Sequence, residues 1–475
     1  MILGLIACTN VSIKLSCDWH IELREPSNEK HTGNYSDNFR MNINKVKFLK
    51  AQSLFEQRQY AAAIRKIKNR SSLDEELFYS KLLVMQNKPN EALAHLDRLA
   101  KVYKKNQTDI LLLQPPILQT LGKQDVANKL SIKMILLQKC PMGYLNHLQS
   151  GYDPIPLLDA SMIKILESKY ESSYIRGIAA YCLFNVGLDS KKYEYLHSGA
   201  KFIRSTIEYN HQANIKNLKS ITNYFPVEPN GQLINHRDKA PIFIIGMPRS
   251  GTTLLEQMLG THPGTLAVGE SVNIGRLFYK HGLDSKGNID VSKIDFHKVG
   301  SEYLKLTYGQ DSNKFVLVDK MPNNFIYVGF ILALFPNAKI IYSKRNAMDN
   351  CYSIYKAVFQ KNRHKYSYSQ SELADYYKAH EYLVKSWLQK FPKNIHTVEY
   401  ENLVTDTEVE LRSLLQFCNL EWNQECLSFH KSEAVVQTLS AHQVKKPVHK
   451  DSIGRGLRLL PHFTQLADKL SKTNA

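Results

Sequence analysis

The stretch Pro241 to Glu270, PIFIIGMPRSGTTLLEQMLGTHPGTLAVGE, constrains this chain more than any other. Pro241 to Ile245 is a short, isoleucine-rich run bounded by proline and glycine, the pattern of a buried parallel strand. Gly246 to Thr253 then sets two glycines and three hydroxyl side chains ahead of Leu254, Leu255, Met258 and Leu259, whose spacing predicts a helix. Strand, glycine loop and helix start make an anion cradle. The first backbone N–H groups of a helix have no intrahelical partner, and its dipole puts about half a positive charge there. A phosphorylated compound is expected at this loop, in an α/β domain with a parallel sheet.

The loop also says which phosphate compound to expect. Gly246-x4-Gly251-Thr252-Thr253 has the spacing of the triphosphate loop GxxxxGK[ST], but Thr252 stands where the lysine that reaches the β- and γ-phosphates belongs. Arg249 instead offers a fork suited to a single phosphate or sulfate group at a nucleotide's 5′ end. With its Gly269-Glu270 pair downstream, PRSGTTLL resembles the 5′-phosphosulfate loop of sulfotransferases, and more narrowly of protein-tyrosine sulfotransferases and the tetratricopeptide-repeat sulfotransferases of bacteria. The resemblance implies 3′-phosphoadenosine 5′-phosphosulfate (PAPS) as cosubstrate, held in part by Arg249, Ser250, Gly251, Thr252 and Thr253, with no metal.

Further motifs extend the resemblance in order. Glu270 lies 21 residues after Arg249, the separation at which the family places its catalytic glutamate. KFVLVD, residues 314–319, reads as a second buried strand, and Lys320 at its end matches a family lysine beside the oxygen that bridges sulfur and 5′-phosphate. A third strand, Ala338 to Tyr342, leads to Arg345 and, eight residues on, Ser353; these match the family's 3′-phosphate pair. Taken alone, they are an ordinary strand-end arginine and helix serine. The family's Arg-Asp-Pro is Arg345-Asn346-Ala347 here, and Ala357 replaces a further basic residue, with Lys356 its nearest substitute. Ile395 to Tyr400 reads as a fourth strand, and the resemblance sets Tyr400 against the nucleotide. The segment from Ser440 to Val448 resembles one that closes over the cosubstrate, which implies transition-state stabilisation by Ser440 and contacts from Gln443, Lys445 and Lys446. Arg455 matches another basic contact, while the tryptophan usual after it is Gly456.

The rest of the chain sets the context. Residues 45–215 are helical in pattern, with a recurring leucine and alanine nine residues apart, Leu54/Ala63, Leu83/Ala92 and Leu118/Ala127. Successive pairs lie 29 and 35 residues apart, bracketing the ~34 of a tetratricopeptide unit. An irregular helical bundle is the alternative. The expected organisation is a leader over 1–40, disordered or a misassigned start; a helical-repeat domain over 41–224; a linker over 225–239; and a three-layer sulfotransferase domain over 240–475. Leu5-Ile6-Ala7-Cys8 has the form of a lipoprotein cleavage box, but no basic residue precedes it and the apolar run is short for an export signal. With seven scattered cysteines and no CxxC pair, the expected compartment is cytoplasmic. The net charge, 62 − 44 = +18, favours anionic ligands without naming one.

The expected reaction is in-line sulfuryl transfer to a hydroxyl of a protein tyrosine, a saccharide or a small molecule, with Glu270 as base and Arg249, Lys320 and Ser440 on the departing phosphate. The partners expected are this acceptor, recognised by the repeats, and a second copy of the chain, with neither nucleic acid nor a membrane span. Two other classes stand against this reading: a Mg²⁺-dependent kinase or NTPase, in which Asp319 would be the metal-binding acid, and a non-catalytic helical adaptor.

Overall fold

The computed structural model describes residues 46–472 apart from 56–59, 87, 107–109, 112, 122, 124–125, 127–128, 131, 133–140, 150–152, 188–189, 226–239, 285–287, 309–314, 360–362, 433–443 and 445. The expected leader, nearly all of the expected linker and Ala127 lie outside them. Two compact units divide between Tyr152 and Asp153.

The first unit is helical. Its helices include Tyr60–Lys66, Leu73–Met85, Pro89–Val102, Gln114–Thr120 and Pro141–Gln149. Ala63 is buried in a cluster with Ala51, Ile67 and Leu82, and Leu54 packs against it. Leu83 and Ala92 share a second cluster with Leu96 and Leu99. In these two pairs leucine and alanine thus share a core between neighbouring helices, where the small alanine lets the partner helix approach.

The second unit is built on a five-stranded, wholly parallel sheet of order β2-β3-β1-β4-β5. Its strands are β1 (Ile242–Gly246), β2 (Thr265–Ala267), β3 (Val316–Lys320), β4 (Lys339–Lys344) and β5 (Ile395–Glu399). Four of these match the strands expected from sequence. The fifth, β2, was missed there because three residues give no periodicity to read. β1 is buried on both faces. Ile242 and Ile244 join Leu255, Met258, Leu259 and Val318 in one core, while Phe243 turns to the other face and meets Tyr303 and Phe335. That is the burial a central parallel strand requires.

Helices from residues 153–224 pack in this unit too, although the sequence pattern assigned them to the repeats. The helix Ser173–Val186 is buried on nearly every side through Ile178, Ala179, Ala180, Tyr181 and Cys182. The Arg204 guanidinium makes a paired fork to the Glu372 carboxylate at 2.8 Å, and His211 meets Asp375 at 3.0 Å, both partners lying on the long helix Gln370–Lys390. A 3.6-residue period shows that a helix has an apolar face, not which core receives it. Among the described residues, no helix is long and apolar enough to cross a membrane.

Candidate active site

In a parallel sheet every strand ends at the same edge, and ligands gather where connections leave in opposite directions. Here β1 is flanked by β3 and β4, reached by crossovers to either side. The loop Met247–Gly251 follows β1, Glu270 follows β2, Lys320 ends β3, Arg345 follows β4 and Tyr400 follows β5. The topology therefore brings the separated sequence motifs to one edge.

The loop is held by its carbonyls. Asn350 Nδ2 donates to Pro248 O at 2.9 Å, Arg345 Nη1 to Arg249 O at 3.0 Å, and Ser343 Oγ to Ser250 O at 2.9 Å. With three successive carbonyls tied back to β4 and the helix after it, the amides at the start of the next helix are left to face an anion. That helix, Thr252–Gly260, has no side-chain cap at its Gly251 N-terminus. Gly251 has φ 109°, and a Cβ there would lie 2.7 Å from the Tyr400 ring, so no larger residue fits. Ser250 Oγ is buried and has no hydrogen-bond partner, and the same is true of Arg345 Nε. Buried polar atoms of this kind await a partner, and both suit a phosphate or sulfate oxygen.

Around this loop the charges are sorted. Arg249 adopts φ 67°, and its Nε donates to Ser353 Oγ at 3.4 Å. Burial, with the Arg345 guanidinium second, lowers Arg249 to about 10, so it stays charged at neutral pH. The Arg345 guanidinium lies over the Tyr400 ring at 4.5 Å and donates through Nη2 to Ser452 O at 3.1 Å. Towards β3 the character changes. Lys320 is fully buried, with its ammonium 2.8 Å from Glu270 and 3.4 Å from Glu256. Glu256 is buried, whereas the Glu270 side chain is 32% exposed and open to a reactant. Asp319, one residue before Lys320, faces the other side of the sheet and accepts from the Tyr303 hydroxyl at 2.6 Å. Its carboxylate is thereby engaged in the core, away from the loop.

The structure thus brings together Glu270, Arg249, Ser250, Gly251, Thr252, Thr253, Lys320, Arg345, Ser353 and Tyr400. Arg455 and Lys446 are exposed, and Arg455 is near enough to act electrostatically on Lys356. Ser440, Gln443 and Lys445 lie outside the described residues. Sequence reasoning missed Glu256, whose position one turn into the loop's helix was the available signal. It also missed His364, whose imidazole feels the Glu270 carboxylate and is held neutral, at about 4, by burial and by Arg363. Gly456 is explained sterically: its amide donates to buried Asp349, and any Cβ there would strike the Met348 carbonyl.

The fold and site define an α/β domain with a parallel sheet whose glycine loop lacks the triphosphate lysine. Residues 241–424 match the model of the sulfotransferase family. The domain is accordingly a sulfotransferase catalytic domain, similar to that of protein-tyrosine sulfotransferases. Protein-tyrosine sulfotransferase 1 of Danio rerio is 27% identical over 48% of this chain and 68% of its own length. An uncharacterized protein of Aquifex aeolicus is 27% identical over 86% of this chain, which spans 56% of that protein. Among solved structures, a sulfotransferase domain from the curacin biosynthetic pathway aligns over 50% of this chain and all of its own, at 20% identity and a TM-score of 0.35.

Proposed function

We propose that this chain transfers the sulfuryl group of PAPS to an acceptor hydroxyl. The observation that carries the reading is the convergence of an uncapped helix start, a buried arginine and a lysine paired with a half-open carboxylate at one sheet edge. PAPS supplies the activated sulfur, and this chain's residues hold it and move one proton. The loop amides, Ser250 and Arg249 bind the 5′ end, while Arg345 and Ser353 take the 3′-phosphate. Glu270 accepts the acceptor's proton as the new O–S bond forms and the bond from sulfur to the bridging oxygen breaks. Lys320, keeping buried Glu256 as its second partner when Glu270 turns to the acceptor, stabilises the charge left on the departing phosphate. Fixed cations and amides need no reorganisation as that charge develops. By the resemblance, Ser440 joins them, with Gln443, Lys445 and Lys446 closing over the nucleotide.

A peptide tyrosine is the acceptor to test first, given the named relatives. Recognition of that acceptor by the helical repeats, self-association and a cytoplasmic setting belong to the same proposal. Calorimetric titration with 3′-phosphoadenosine 5′-phosphate should show tight, metal-independent binding, weakened by Arg249→Ala and by Arg345→Ala. Glu270→Gln should leave that binding nearly intact and lower turnover by about 10²- to 10⁴-fold. Binding of ATP only with Mg²⁺ would support the kinase or NTPase reading, and turnover surviving Glu270→Gln would remove Glu270 as the base.

A further inference from the structure

Arg249 holds a strained backbone in the middle of the anion loop. Its φ of 67° lies in the left-handed region, where a residue with a Cβ persists only if its surroundings over-determine it. That angle sets the peptide plane that carries the Pro248 carbonyl, because the peptide unit turns as a rigid whole. Asn350 Nδ2 donates to this carbonyl at 2.9 Å, and Arg345 Nη1 donates to the carbonyl of Arg249 itself at 3.0 Å. The planes on both sides of Arg249 are therefore fixed by side chains. Arg345 also faces the 3′-phosphate in the reading above, whereas Asn350 has no part in it.

The side chain of Asn350 uses only its donor. It lies on Ala347–Tyr355 and is 1% exposed, and its Oδ1 is buried with no hydrogen-bond partner among the described residues. Turning the amide over would set that oxygen against the Pro248 oxygen and leave both without a donor. The helix that carries Asn350 is anchored at both ends. At its start Asn346 accepts from the Asp349 amide at 3.2 Å. At its far end it meets the helix pair Ser173–Val186 and Lys192–Arg204, where the Tyr181 hydroxyl donates to the Tyr355 carbonyl at 2.8 Å and His197 Nδ1 meets the Tyr355 hydroxyl at 3.2 Å. The same helix carries Ser353, whose hydroxyl accepts from Arg249 Nε at 3.4 Å. One anchored helix thus restrains both the backbone and the side chain of Arg249.

We propose that Asn350 is a positioning residue for the 5′ end of the cosubstrate: by holding the Pro248 carbonyl it keeps Arg249 left-handed, so that the guanidinium and the loop amides after it meet the phosphate that departs. The proposal rests on the sulfotransferase reading above. Without this bond the peptide between Pro248 and Arg249 is free to turn, Arg249 relaxes to a negative φ, and the preorganised cation that the departing charge needs is lost.

The test compares two probes on the full chain by calorimetry: 3′-phosphoadenosine 5′-phosphate, and adenosine 3′-phosphate, which lacks only the 5′-phosphate. Asn350→Asp is nearly isosteric, and at pH 8 the carboxylate it introduces offers the Pro248 carbonyl no donor. It should weaken the first probe about tenfold or more. Adenosine 3′-phosphate should stay within twofold, which also reports that the variant is folded. Protonation supplies an O–H that can donate to the Pro248 carbonyl, so the affinity of Asn350→Asp relative to the unaltered chain should rise as pH falls from 8 to 5. Asn350→Leu, which can never donate, should show the loss on the first probe at every pH. Equal losses on both probes, no loss in either variant, or a relative affinity of Asn350→Asp that stays flat with pH would overturn the proposal while leaving the sulfotransferase reading in place. If the unaltered chain binds neither probe, the sulfotransferase reading falls and this proposal falls with it.

Discussion

Lys356 is where the electrostatics of single residues become measurable. Its ordinary value is 10.5, and burial together with Arg249 from the loop, Arg455 from the C-terminal segment, Arg345 after β4 and Lys192 from the helix pair brings it to about 7. An anion bound beside it reverses that shift, so binding takes up a proton wherever the free side chain is neutral. Affinity for 3′-phosphoadenosine 5′-phosphate should be greatest near pH 7 and fall as pH rises through 7 to 9, by at most about tenfold per unit. This window lies above the phosphate's own titration near pH 6. A flat profile, or a slope that persists in Lys356→Met, would show that Lys356 does not carry the effect. At the same scale, Glu256 explains how a fully buried lysine stays poised: two carboxylates share its charge, one buried and one open. A buried ammonium with no partner would cost several kcal/mol and lose its proton instead.

Elements cooperate through their ends. Asn346 caps Ala347–Tyr355 by accepting from the Asp349 amide at 3.2 Å, and the Asp349 carboxylate accepts from the Gly454 and Gly456 amides. One buried side chain thereby fastens the segment that carries Arg455 onto the helix that carries Ser353. Asp349→Ala would strand two amides and release that segment. The expected result is a loss of about 1.5–3 kcal/mol in urea unfolding, the range for a hydrogen bond to a charged group, together with weaker binding of 3′-phosphoadenosine 5′-phosphate. Unchanged stability and affinity would mean that the strap does not depend on Asp349. The resemblance left the missing tryptophan at Gly456 unexplained. This contact accounts for it, because the approach to Met348 leaves no room for a side chain.

At the scale of the molecule, the second compact unit begins near Asp153, not at the linker. A fragment covering 153–475 should unfold in urea as one cooperative transition. A fragment that starts at Pro241 would lose Tyr181, Arg204 and His211 from partners on Tyr355, Glu372 and Asp375. It should unfold without a sharp transition, since each large side chain stripped from the core forfeits about 1.5–3 kcal/mol. Equal cooperativity in the two fragments would show that the helix pair is dispensable. The sequence by itself determined the anion loop, four of the five strands and the order of the site residues from Arg249 to Tyr400. Those signals are local: a glycine spacing, an apolar run and a polar residue at a strand's end can each be read within a few residues. Only the tertiary structure decided that Glu256 shares Lys320 with Glu270 and that helices 156–220 pack in the second unit. These depend on contacts between residues up to 174 positions apart, and periodicity shows that a face is buried but not what it is buried against.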